Sequence, residues 1–256
     1  MWISTAKADE SSSKIHDQFK IGFGAFLITN SETTLRIDSK DVPAGVYINL
    51  ERQLGVQSDD VVGRVEGYYR FNSHHRLDYG YYPVNRSGTR AISTEIPTNP
   101  PIAAGTVVST TFDTATYKLG YTYSFYNNEK VELGLSAGLH ITSFDLSLVA
   151  TGGSSGASSS ADVTAPLPVV GVLLTYNITP DWLVIYNYQA FLLQIEGNKG
   201  SLTDTNLSIE YRGFKNVAFG LAVNRVNLNL DFDGENYLGT VNNEIGGFTT
   251  YMALYF

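Results

Sequence analysis

One stretch of this chain leaves little choice of local structure. From Val131 to Thr142 the sequence reads VELGLSAGLHIT, and every position obeys a period of two. Val131, Leu133, Leu135, Ala137, Leu139 and Ile141 form one face; Glu132, Gly134, Ser136, Gly138, His140 and Thr142 form the other. Only an extended strand sends successive side chains to opposite sides with that period. The same rule runs through Val61–Phe71, Leu77–Tyr81 and Leu202–Arg212. A sandwich would turn the apolar face inward, whereas a membrane barrel turns it to lipid and its polar face to a lumen.

Three features favour the barrel. Thr111–Tyr126 alternates without interruption over a length that exceeds the usual sandwich strand. Tight turns at Asn72–His75, Asn127–Glu129, Thr179–Asp181 and Gly213–Asn216 alternate with long polar segments, Ser87–Gly105, Thr151–Ala165, Glu196–Ser201 and Asp231–Glu244. Short turns on one side and long loops on the other are the barrel pattern. Tyr and Phe gather beside the short turns, as in Tyr68, Tyr69 and Phe71, and in Tyr121, Tyr123, Phe125 and Tyr126, the placement of an interfacial girdle.

Composition removes other classes. With no cysteine, disulfide scaffolds, zinc-thiolate sites and cysteine nucleophiles are excluded. A net charge of −8 argues against nucleic acid as a partner. The longest apolar run, Pro166–Leu174, is far too short for a membrane helix. A mean hydropathy of −0.07 misleads here, because alternate positions cancel.

The last strand, Phe248-Thr-Thr-Tyr-Met-Ala-Leu-Tyr-Phe256, places Phe248, Met252, Leu254 and Phe256 on one face and ends on an aromatic. This resembles the C-terminal signature of small, mostly uncharacterised outer-membrane β-barrel proteins of Gram-negative bacteria. Gly67–Phe71, Leu119–Phe125 and Ala165–Gly171 are similar to segments of the same proteins. The resemblance implies an all-β, antiparallel, up-and-down transmembrane barrel integral to the outer membrane. It also implies that the barrel-assembly machinery reads Phe248, Met252, Leu254 and Phe256, and that outer-membrane lipids and lipopolysaccharide surround the wall. It implies no activity.

Ala6-Lys7-Ala8, followed by a polar stretch, fits the cleavage site of a signal peptide whose basic and apolar parts are missing. Residues 1–18 are therefore expected to form a residual signal and polar tail, and 19–256 the barrel domain. Ten strands are expected, over 19–38, 61–72, 76–87, 106–126, 130–149, 166–178, 182–195, 201–213, 217–231 and 244–256. Twelve is the alternative, if Phe19–Thr29 and Thr33–Ser39 are separate strands. An even count puts both termini on the periplasmic side.

By parity Lys20, Arg64, Glu66, Arg70, Arg76, Asp78, Lys118, Glu132, His140, Asp204, Glu210 and Arg212 point into the lumen. Arg70, Arg76, Glu132, Glu210 and Arg212 share one level near the short turns. These charges either pair as polar filling or line a selective constriction. The leading expectation is a narrow, porin-like passive pore for small solutes. The alternative is a non-conducting structural or surface-interaction barrel presenting long loops, and a lipid-modifying enzyme comes third. A lipid hydrolase needs a nucleophile beside its base. His140 is the strand histidine, with Thr142 two positions on and Ser136 four back, but its face is the lumen, so the chain is not expected to be an enzyme. The Ser154–Ser160 run reads as a flexible tip, and Asp231–Glu235 as a solvated acidic loop. No metal site or cofactor is expected, and the sequence does not set the oligomeric state.

Overall fold

The computed structural model describes residues 17–39, 42–98, 101–151, 158–195, 198–231 and 238–256. The Ala6–Ala8 site and most of the acidic Asp231–Glu235 segment fall outside them. In chain order the elements are β1 (Phe19–Ser39), β2 (Val42–Asn49), α1 (Leu50–Leu54), β3 (Asp60–Arg70), β4 (His75–Ala91), β5 (Val107–Asn127), β6 (Val131–Thr151), β7 (Ser158–Asn177), β8 (Trp182–Ile195), β9 (Asn198–Tyr211), β10 (Val217–Asp231) and β11 (Leu238–Tyr255). Every neighbour pair is antiparallel, and β11 pairs with β1 from Lys20–Tyr255 to Ile37–Leu238, closing the ring. Ten strands make the staves. β2 is an extra piece that pairs with the upper half of β1, on the edge whose lower half pairs with β3. The expected count of ten holds for the staves. The Ser39–Asp60 stretch supplies β2 and α1, so the alternative twelve is not what forms.

β1 stays one strand through a bulge between Ile28 and Asn30. The extra residue switches the inward set from Lys20, Gly22, Phe26 and Ile28 below to Ser31, Thr33 and Leu35 above. The start of β1 and the end of β11 lie on the short-turn side, where Phe19 and Phe256 exchange both backbone bonds at 2.9 Å.

β6 shows how the wall is built. Its apolar residues from Val131 to Ile141 face outward, which gives a lipid-facing band roughly 25 Å tall at ~3.3 Å per residue and a ~40° tilt. Above Thr142 the faces exchange roles. Phe144, Leu146, Leu148 and Ala150 point inward and are buried, while Ser143, Asp145 and Ser147 point out. β5 does the same, with Tyr117, Leu119, Tyr121 and Tyr123 outward below and Val108 and Phe112 inward above. In β10 the outward set passes from Phe219, Leu221 and Val223 to Arg225, Asn227 and Asn229, while Leu228 and Leu230 go inside. Strands β5, β6 and β10 therefore continue past the lipid band into water, where the interior becomes a conventional apolar core. This corrects the expected long loops. Much of Thr151–Ala165 and Asp231–Glu244 is strand, in β7 and β11, because outward polar residues above the band resemble loop sequence. Ser158–Ser160 of the expected flexible tip likewise belongs to β7.

Two seams interrupt the wall, and proline makes both. The Asn177 N–H bonds Lys130 before β6, and the Ile178 N–H bonds Trp182 of β8. By alternation, even-numbered residues of β7 address β8. The β7–β8 ladder stops at Val170–Ala190, and the next two even positions are Pro168 and Pro166, which have no N–H to give. Just after β3 the Phe71 N–H bonds His75 of β4, so odd-numbered residues face across that pair. That ladder stops at Val65–Tyr81, and the next odd residue of β4 is Pro83.

The β3–β4 seam is filled from within. Asn49 caps α1 by accepting from the Arg52 N–H at 2.8 Å, and Gly55 ends it at φ 72°, the left-handed region that favours glycine. The Gln57 N–H reaches Ser87 of β4, and Gly88 lies so close to Gly55 that a Cβ there would overlap its carbonyl. Leu50 and Leu54 are buried among Leu35, Ile48, Ile92 and Phe112.

Candidate functional site: the paired-charge lumen

Within the lipid band the inward face is polar, and all the lumen positions expected from parity point into it. The five residues expected at one level form two neighbouring knots. In the first, Glu132 of β6 accepts from both terminal nitrogens of Arg70 of β3, at 2.8 and 3.0 Å, and from Ser124 Oγ at 2.5 Å. Arg76 pairs with Asp78 at 2.7 Å, and the Tyr68 ring lies against the guanidinium groups of Arg70 and Arg76, at 5.4 and 4.7 Å. In the second, Glu210 of β9 accepts from Lys20 Nζ and Arg212 Nε, each at 2.7 Å, from Tyr251 at 3.0 Å and from the Tyr255 hydroxyl. Arg212 also reaches Asp17 at 2.7 Å and stacks on Tyr255, 3.7 Å from the ring centre. Glu132 is 1% exposed and Glu210 0%.

A tier higher, Arg64 pairs with Glu66 at 2.7 Å and donates to Asn224 of β10 at 3.1 Å. Lys118 of β5 bridges to Asp204 of β9. His140 Nε2 lies 2.8 Å from Gln189 Oε1, and its Nδ1 is 4.0 Å from Asp204. Counting round the ring, β5 and β9 are nearly opposite, and β3 is three staves from both β6 and β10. The side chains thus span the bore instead of lining it. Each lumen cation has a carboxylate partner: Lys20 and Arg212 share Glu210, with Asp17 added at the rim. Between the tiers lies a cavity of 130 Å³ bounded by Arg64, Lys118, His140, Gln189, Asn206 and Asp204.

Above the band the lumen is closed by apolar packing and by α1. Arg86, 2% exposed, holds the helix to the wall by bonding Glu51 of α1 and Thr33 of β1, both at 2.6 Å. The parity reading did not single out Asp17, Tyr251, Tyr255 or Arg86. Tyr251 and Tyr255 alternate with Met252 and Leu254, so parity alone places them inward. Phe248, Met252, Leu254 and Phe256 do share the outward face. Arg86 pairs with a residue in the stretch whose structure alternation leaves open.

The geometry around His140 is that of a network, not a triad. Thr142, two residues on, bonds Thr116 at 3.1 Å. Ser136 is four residues away, roughly 13 Å along the strand. Among the described residues no group of three or more His, Asp or Glu gathers as a metal site.

No family model and no curated protein matches the chain. Solved structures do. The outer membrane protease OmpT of Escherichia coli superposes with a TM-score of 0.58 at 11% identity, over 93% of this chain and 96% of that one. The outer membrane protein OprG of Pseudomonas aeruginosa matches at a TM-score of 0.42 and 10% identity, over 94% of this chain and 96% of that one. The likeness to OmpT concerns the fold: a closed antiparallel barrel of the kind that spans Gram-negative outer membranes.

Proposed function

We propose that this chain is an integral outer-membrane barrel that does not conduct, with the short turns and both termini on the periplasmic side and a water-exposed β-extension presented outside. The Lys118–Asp204 bridge carries this reading, because it joins nearly opposite staves across the middle of the bore. Charge balance supports it. A selective constriction works through unpaired charge facing the permeant, and here the cations of the bore are matched by carboxylates. The extension supplies the second support: its apolar interior leaves no hydrated continuation above the polar tier. The assembly machinery and the surrounding lipid and lipopolysaccharide remain the partners proposed from the terminal strand.

The pore expected from the sequence has one observation in its favour, the 130 Å³ cavity among the same charges. Conduction would require the bridges above and below it to part. The His140 ring engages Gln189 and Asp204, which gives it a place in the lumen network among the described residues. Swelling of proteoliposomes in small sugars tests the proposal. The sealed barrel predicts the rate of empty vesicles, and solute-dependent swelling would return the pore to first place.

A further inference from the structure

The lipid-facing wall is hollowed where β9, β10 and β11 lie side by side. Phe248, Val223 and Leu207 form one outward row across the three strands, and Thr250, Leu221 and Ile209 form the row below it. Between the rows Thr249, Ala222 and Ser208 turn their side chains inward, so the floor is backbone, and the depression measures about 570 Å³. That is the volume of a small-molecule pocket. It is open to the outside: Leu221 is 63% exposed and Phe248 56%.

The next outward row above is Gly246, Arg225 and Thr205. Arg225 is thus the first charge met on leaving the groove. Its side chain is 63% exposed, and among the described residues its one partner is Glu244, reached through a single terminal nitrogen at 2.7 Å. Gly246 beside it has no side chain to cover the guanidinium, and even a Cβ there would meet only the Asn224 carbonyl, at 3.9 Å. Higher still the face is amide and hydroxyl, where Asn227 bonds Thr203 and Asn229 bonds Ser201. The far side of the barrel differs. There the first outward charges above the band are Asp113, Asp145 and Asp162, in register across β5, β6 and β7.

At the depth of the groove the medium is hydrocarbon, and lipid tails are as apolar as leucine, so burial alone selects no tail. Fit and charge do. An unfilled hollow forfeits the dispersion contacts of its lining, and a chain settled in it restores them. A guanidinium fork matches phosphate oxygens in pairs, and an exposed Arg–Glu pair contributes too little to keep the fork from a phosphate. From the membrane outward the order is apolar groove, cation, then amides and hydroxyls. That is the order of an acyl chain, a phosphate and a polar headgroup.

We infer that the β9–β11 groove seats one acyl chain of a phosphate-bearing lipid from the loop-side leaflet, with the phosphate on Arg225. The inference rests on the outer-membrane reading and is independent of whether the bore is sealed.

Phe248→Trp, with Trp2→Phe and Trp182→Phe, reports from the groove. Ile141→Trp in the same background reports from the acidic side. Each protein is placed in phosphatidylcholine vesicles with a minor fraction of phosphatidic acid. Bromine is carried on the acyl chains of the phosphatidic acid or, at the same mole fraction, on those of phosphatidylcholine. At position 248 brominated phosphatidic acid should quench more strongly than brominated phosphatidylcholine. Arg225→Gln should abolish that excess, Glu244→Gln should enlarge it, and at position 141 it should be absent. Equal quenching by both lipids at 248, an excess that survives Arg225→Gln, or the same excess at 141 overturns the groove and leaves the membrane reading intact. No quenching at either position by either lipid would refute the membrane reading itself. Quenching at 141 with none at 248 would assign the groove to a second copy of the chain. Because Phe248 lies in the terminal strand, a second measurement keeps it unaltered. Native mass spectrometry of the protein mixed with equal amounts of the two lipids should retain phosphatidic acid, a preference lost in Arg225→Gln. Equal retention of both lipids by the unaltered protein overturns the proposal.

Discussion

Replacing Glu132 by Gln removes one negative charge and almost no volume. Arg70 is 3% exposed, and both of its terminal nitrogens donate to the Glu132 carboxylate. The amide can still accept one of those bonds, but the guanidinium charge is left buried. Breaking a buried pair by removing one partner costs about 3–5 kcal/mol. An exposed pair contributes about 0–1 kcal/mol, and Arg225–Glu244, with side chains 63% and 39% exposed, provides that reference on the same barrel. With a urea dependence of ~1–3 kcal/mol per molar, Glu132→Gln should lower the unfolding midpoint by roughly 1–5 M. Glu244→Gln should hardly move it. Urea titrations of both variants in the same lipid vesicles make the comparison, followed by tryptophan emission and by heat-modifiable gel mobility. Adding Arg70→Met to Glu132→Leu should recover most of the loss, because the buried charge then disappears with its partner. Equal midpoints for Glu132→Gln and Glu244→Gln would show that water reaches the lower knot, and the sealed lumen would be refuted with it.

Leu135 faces lipid near the middle of the band, so Leu135→Arg should cost about 2–4 kcal/mol in the same titration. Ser136→Arg should also destabilise, since Ser136 is enclosed and adjoins Gly171, with no open bore to receive a long side chain. Arg86→Met should remove the bonds from β4 to Glu51 of α1 and Thr33 of β1, loosening the helix and exposing the 50–57 segment to proteolysis while the lipid-embedded staves stay folded. Asp113 belongs to the water-exposed part of β5, beside Asp145 and, one strand further, Asp162. Burial first, and the Asp145 charge second, hold its carboxyl above the ordinary aspartate value of 3.8. A raised carboxyl binds its proton more tightly in the folded state. Its contribution is thus present at acid pH and lost as pH rises through the folded value. Asp113→Asn should stabilise the extension at neutral pH and flatten that dependence, measured as thermal midpoint against pH.

Alternation made the staves and the lumen face legible, because a period of two fixes which neighbour a residue shares its side with, whatever lies beyond the wall. It could not show which side was water. At Thr142 the sequence keeps its period while the medium changes. The apolar set simply moves from Leu139 and Ile141 to Phe144 and Leu146, and the polar outward residues of β7 and β11 then look like loops. The sealed bore was half legible. Parity brought Arg70, Glu132, Glu210 and Arg212 inside, but only the closure of the ring shows that Lys118 meets Asp204 across it. Pro83, Pro166 and Pro168 stood in plain view. Their meaning depends on which neighbour each residue addresses, and that requires the register.

Strands β5, β6 and β10 cross lipid and then continue into water with their faces exchanged. Single cysteines along the outward face of β6 test this most directly. At Leu135, Leu139, Ile141, Ser143, Asp145 and Ser147, each carries an environment-sensitive fluorophore on protein in vesicles. Emission should be blue-shifted and quenched by lipid-borne quenchers through Ile141. From Ser143 upward it should be red-shifted and quenched by iodide. A lipid signature continuing to Ser147, or water accessibility at Leu135, would contradict the account.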